Sequence, residues 1–147
     1  MRVMTLQAVA CLLLLFPGWS SAQEKQTIDA TRAKTNYILN CQGCHQADGS
    51  GLTDNVPSMR GFAGKFLQVP GGRAFLVQVP GSSNSPLNNA ELAELINWIL
   101  ITMSAEQLDD NFQYYTEQEV SELRQHVLVD VGRTRASLVA TMPGMPN

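Results

Sequence analysis

Histidine and cysteine are scarce in this chain of 147 residues, with two of the first and three of the second. Cys11 sits in an apolar N-terminal run, so Cys41 and Cys44 are the thiols left to the body of the chain. A zinc site takes about four ligands. Beyond the run Cys41 to His45 only His126 remains, so such a site is not expected. No stretch alternates apolar and polar residues at strand period, which argues against a sheet. There is no second metal motif, no dinucleotide glycine pattern and no nucleophile constellation, so no catalytic set is visible. Basic residues are also outnumbered, ten against thirteen acids. Without Arg2 the balance is nine against thirteen, a net charge of −4, which argues against nucleic acid or anionic lipid as partners. Finally, residues 62–90 contain neither methionine nor histidine.

The first segment present reads as a leader. Arg2 gives a short positive start, and Leu6 to Phe16 is mostly apolar around Leu12-Leu13-Leu14-Leu15. Pro17, Gly18 and Trp19 interrupt it, and Ser20-Ser21-Ala22 supplies small residues for cleavage. This is the three-part pattern of a secretory signal peptide over 1–22. The apolar run is short for a spanning helix, which needs roughly 20 residues. An uncleaved anchor is the rival reading. Cleavage leaves 125 residues, enough for one domain, exported and without a membrane span.

Ile28 to Cys41 has a partial apolar face at helical spacing through Ile28, Thr31, Tyr37, Ile38 and Cys41. Residues 46–89 are rich in glycine and proline. Val69-Pro70-Gly71 recurs as Val79-Pro80-Gly81, and both read as type II turns. Short helices or extended pieces fit Gly61–Val69 and Ala74–Val79. Asn88 with Glu91 forms a capping box, and Leu92, Leu95, Ile96, Ile99, Leu100 and Met103 follow at helical spacing. Ser104 to Tyr115 is a polar link. Thr116 with Glu119 opens a second helix whose stripe is Val120, Leu123, Val127, Leu128 and Val131. The tail Met142 to Asn147 reads as frayed. The expected fold is all-α with long loops, and loops of that length need something to pack around.

Cys41-Gln42-Gly43-Cys44-His45 supplies it. In a Cys-x-x-Cys-His run the two thiols add to the vinyl groups of haem as thioethers, and the histidine coordinates the iron. A thioredoxin-like pair would want a βαβ setting, which is missing. A plain disulfide holding a small helical interaction module explains neither the histidine nor the loops.

With this motif the sequence resembles the class I bacterial cytochromes c, over roughly residues 28–103. Tyr37 stands one helical turn before Cys41. His45-Gln46-Ala47-Asp48-Gly49-Ser50-Gly51 is similar to the family's glycine-rich loop. Val56-Pro57-Ser58-Met59-Arg60-Gly61 is similar to its proline segment, and Leu87 to Leu92 to the start of its last helix. The resemblance implies a small cytochrome c-like helical domain over 23–103 wrapped around one covalent haem c. Residues 104–147 form an added helical extension packed on it. It makes Cys41 and Cys44 the thioether links and His45 the proximal iron ligand. It has the Pro57 carbonyl accept the proton of the other His45 nitrogen, unless Pro57 is an ordinary turn proline. Arg73 is a candidate for a haem propionate, with a solvated arginine as the rival.

The sequence departs from the family at the sixth iron position. The family's distal methionine precedes the last core helix, where this chain runs Val79-Pro80-Gly81-Ser82-Ser83-Asn84-Ser85-Pro86-Leu87. Met59 and Met103 are weak candidates, the first placed for proximal packing and the second on an apolar stripe. Met142, Met145 and His126 are remoter ones, and an open or water-bound position is the alternative. Lys65, Gln68, Arg73 and Asn84 are the polar residues available to line it. The expected function is a periplasmic or otherwise exported carrier of single electrons between redox proteins, such as a periplasmic dehydrogenase and a membrane oxidoreductase. The alternative is a ligand-binding or weakly catalytic haem protein, a gas sensor or a peroxidase-like domain.

Overall fold

Asp29 opens the first helix, its carboxylate accepting the amides of Thr31 and Arg32 at 3.1 Å each. The computed structural model describes residues 27–52 and 56–144, so the leader read at 1–22 and Met145 lie outside the described residues. Six α-helices follow in order: α1 (Ala30–Asn40), α2 (Gly72–Gln78), α3 (Pro80–Ser83), α4 (Asn89–Met103), α5 (Glu117–Leu123) and α6 (Val131–Ala140). A 3₁₀ segment, Ala63–Gln68, precedes α2. The described residues contain no strand, as the missing alternation implied.

α4 is the central element. Asn88 accepts the Glu91 amide at 2.9 Å and the Glu91 carboxylate accepts the Asn88 amide at 3.1 Å, the reciprocal cap expected. Its apolar residues are buried on more than one face because α1 packs on one side and α5 on the other. Toward α1, Tyr37 meets Trp98 with ring centroids 5.6 Å apart. Glu94, only 5% exposed, accepts two hydrogen bonds of 2.7 Å from Arg32 and one from the Asp29 amide. Toward α5, Asn97 is fully buried and exchanges two hydrogen bonds with the Tyr115 main chain, at 2.8 and 2.9 Å. The main core joins these to Val77, Leu87, Leu92, Leu95 and Val120. A second cluster gathers Phe66, Val69, Phe75 and Met142, with Leu128, Val131 and Leu138 against it.

The structure departs from three expectations. Only the first proline turn is type II: Gly71 sits at φ 83 and ψ −14, and the Gly72 amide reaches Val69 O at 3.1 Å. In the second copy Pro80 begins α3, where a missing N–H costs nothing, and Val79 O accepts from Ser82 and Ser83. The stripe Val120 to Val131 is not one helix. α5 ends at Leu123 because Arg124 turns to the carbonyls of Ser83, Ser85 and Leu87 and to Asn89 Oδ1, and the Leu128 amide goes to Gln78 O. Val127 is therefore exposed, and Val131 begins α6 behind an Asp130 cap. The tail is not frayed at Met142, which is 4% exposed in the second cluster.

Candidate functional site

The motif occupies the turn that ends α1. The amides of Cys41 and Gln42 both reach Tyr37 O, at 2.9 and 3.0 Å, and those of Cys44 and His45 both reach Cys41 O, at 3.1 and 2.9 Å. One continuous turn thus carries both thiols and the imidazole. The following loop is closed back onto it. The Leu52 amide donates to Cys44 O at 3.1 Å, and Gly49 O accepts the amides of Met59 and Arg60. Asp48 accepts from the Ser50 amide, the Ser50 hydroxyl and Arg60. These bonds, those of Ser50 foremost, hold its carboxyl down at about 2. Gly51 is required here, since a Cβ would lie 1.6 Å from Val56 O.

Both thiols are free; Cys44 is exposed and Cys41 is half-buried against the main core. Burial, reinforced by Cys44, pushes the Cys41 thiol up to about 11. That opposes the thiolate character an exchange pair or a thiolate metal site needs. The His45 ring is pushed toward its neutral form by burial, with the Pro57 carbonyl acting in the opposite sense. Its Nδ1 is buried and has no partner in hydrogen-bond geometry, so Pro57 stands near the ring without completing the bond. A neutral imidazole with one nitrogen facing a main-chain carbonyl is the form that ligates a metal.

These residues fit a haem. Of the five large apolar side chains that stand exposed among the described residues, three flank the motif along the chain: Ile38, Leu39 and Leu52. Ile38 lies one turn before Cys41, and the Leu52 amide is bonded to Cys44 O. Two unbridged thiols, an imidazole pushed toward its neutral form with its Nδ1 on the Pro57 side, and uncovered apolar side chains match a flat apolar group that would be joined through two thioethers and the other ring nitrogen.

The other candidates are placed elsewhere. Met59 and Met103 both pack on the main core. The Sδ of Met103 lies against Gly49, 2.6 Å from where a Cβ would stand, so both methionines support the loop that follows His45. Met142 belongs to the second cluster, and His126 is exposed in the turn after α5. Arg73, the candidate for a propionate, has its guanidinium engaged within the chain. Its guanidinium donates to both oxygens of Glu119 and to the carbonyls of Gln113 and Tyr114, and lies 3.9 Å from the Tyr115 ring centre. It straps the C-terminal segment to α2. Lys65 lies over the Phe62 ring and Gln68 donates to Gln107 O, while Asn84 is exposed. One open cleft of about 430 Å³ runs between the 3₁₀ segment and residues 107–119, with no cysteine or histidine in its lining. Sequence reasoning missed the Arg73–Glu119 and Arg124 contacts, whose partners lie 35 to 46 residues away. It also missed the Tyr37 hydroxyl, although its position one turn before Cys41 was a signal.

No family model matches the chain. It is similar to cytochrome c-552 of Thermus thermophilus, 28% identical over 102 aligned residues, covering 57% of this chain and 78% of that protein. A cytochrome c-552 from a second source of the same organism matches at 28% over 57% of this chain and 69% of its own length. This similarity supports a relationship to the cytochromes c, whose chemistry is haem-based electron transfer. No helix among the described residues is long and apolar enough to cross a membrane.

Proposed function

We propose that the chain is an exported, class I-like c-type cytochrome that carries single electrons between redox proteins through one haem. Cys41 and Cys44 hold the haem by thioethers, and His45 is its proximal ligand. The observation that carries this is the turn itself: two free thiols and a half-buried imidazole whose Nδ1 has no partner, with exposed apolar side chains before and after it along the chain. When bound, the haem supplies one-electron iron chemistry. The chain's part is to hold and orient it. The Cys41 carbonyl fixes the His45 amide and the Pro57 carbonyl stands near the ring. Residues 23–103 are the haem-bearing unit and 104–147 a packed extension. The partners fitting a one-electron carrier are a periplasmic dehydrogenase and a membrane oxidoreductase.

The test is the mass of protein exported from cells competent in cytochrome maturation. Residues 23–147 plus one haem are expected, and a haem-free mass overturns the proposal. Cys41→Ala or Cys44→Ala leaves at most one thioether, and His45→Ala loses the axial bond. A second reading, a ligand-binding haem protein, draws on residues 62–90 having no methionine or histidine and on the packed positions of Met59, Met103 and Met142. Ready carbon monoxide binding by the reduced protein favours it.

A further inference from the structure

We infer that Tyr37 is the positioning residue of the haem-ligand turn: it grips both ends of Cys41–His45 and so sets the orientation of His45 and the reduction potential of the bound iron. This rests on the reading of Cys41, Cys44 and His45 given above. The main-chain carbonyl of Tyr37 accepts the amides of Cys41 and Gln42, which starts the turn. Its phenol closes the far end, donating to the carbonyl of His45 and sharing the same proton with that of Gln46, at 2.6 Å from the latter. His45 is therefore held through both of its peptide groups, its N–H by Cys41 O and its C=O by Tyr37 Oη. With the main chain pinned on both sides, the imidazole keeps only its own side-chain rotations.

The hydroxyl is not required for packing. Tyr37 is 1% exposed, and its ring is seated on Trp98 of α4, a place a phenylalanine ring would also fill. A buried phenol oxygen needs a partner, and here the partners are the two carbonyls that follow the imidazole. α4 carries Trp98, so the turn is referenced to the central helix and not merely to α1. Groups behind a metal ligand tune the metal through that ligand's orientation and through the local field. Removing the donor leaves two carbonyl oxygens with unopposed negative ends beside the ligand. That favours the more positive, oxidised iron, so the potential should fall.

The experiment compares holoprotein carrying Tyr37→Phe with holoprotein carrying Tyr115→Phe. Tyr115 is the control because its hydroxyl is as deeply buried but donates to Arg73 O, away from the motif. Both variants should retain one covalent haem and melt at lower temperature. Only Tyr37→Phe should lower the reduction potential and alter the oxidised spectrum. A Tyr37→Phe protein that melts lower with the potential and spectrum of the parent overturns the inference, as does an equal shift in both variants. Should Tyr37→Phe fail to accumulate, 3-fluorotyrosine incorporated into a Tyr114→Phe, Tyr115→Phe background labels the one tyrosine left of three. The stronger donor should raise the potential, and an unchanged potential overturns the inference. A parent protein without covalent haem would instead remove the proposed function itself, so the two failures are distinguishable.

Discussion

Single side chains in this protein do two kinds of work that look alike in the sequence. Met103 continues the apolar spacing of α4 and could equally serve iron, but it is half-buried with its sulfur against Gly49. Met103→Ala is accordingly expected to cost about 2 kcal/mol in denaturant unfolding, and Met59→Ala somewhat less, with the iron's spectrum unchanged in both. A methionine–iron charge-transfer band in the parent, lost in either variant, would show that packing was the wrong assignment. Tyr115 provides a pH test. Burial, its largest influence, raises its pKa well above the ordinary value, with Arg73 opposing and Glu119 assisting. A raised folded-state pKa contributes stability that is complete below the unfolded value of about 10 and is lost as pH climbs above it. Unfolding free energy should therefore decline above a pH of about 10, and Tyr115→Phe should decline less steeply. Tyr37, pushed up to about 12 by burial first of all, adds to the same alkaline loss. Parallel curves for parent and variant would contradict this.

At the scale of an element, the segment after Thr116 shows how tertiary contacts override a periodic stripe. Thr116 does cap α5, accepting the Glu119 amide at 3.2 Å. Glu119 does not return to the cap, because both its oxygens hold Arg73. Arg124 then places four hydrogen bonds on residues 83–89 and stops the helix. Val120 and Val127 are equivalent members of the stripe but are 0% and 43% exposed. Val120→Ala should cost about 2 kcal/mol, Val127→Ala no more than about 0.5. Equal losses by chemical denaturation would mean that the helix runs on past Leu123.

For the whole molecule the question is whether residues 104–147 are an appendage. Tyr115 and Val120 complete the main core, Met142 completes the second cluster, and Arg73 and Arg124 tie the segment to α2 and to the loop before α4. Burial of three such side chains contributes roughly 1.5–3 kcal/mol each. That is a large share of a domain stability of about 5–15 kcal/mol. Ending the chain after Ser104 should abolish a cooperative melt of the holoprotein, because it also leaves the Asn97 side chain buried without the Tyr115 main chain. An unchanged melting temperature would make the extension dispensable.

The sequence by itself determined what depends on neighbours along the chain. The helices before the motif and at Asn89–Met103, the Asn88–Glu91 cap, the Gly71 turn and the pairing of two thiols with His45 are all local, set by spacing within a few residues. That one turn carries Cys41, Cys44 and His45 was legible for that reason. What only the tertiary structure decided are the contacts between residues tens of positions apart. Arg73 faces Glu119, Met103 lies under Gly49, α5 stops at Leu123 for the sake of Arg124, and Met142 is drawn into a core from the tail. A guanidinium takes whichever carboxylate and carbonyls the packed helices bring within about 3 Å. That choice is made by the folded positions of helices, which no spacing along the chain encodes.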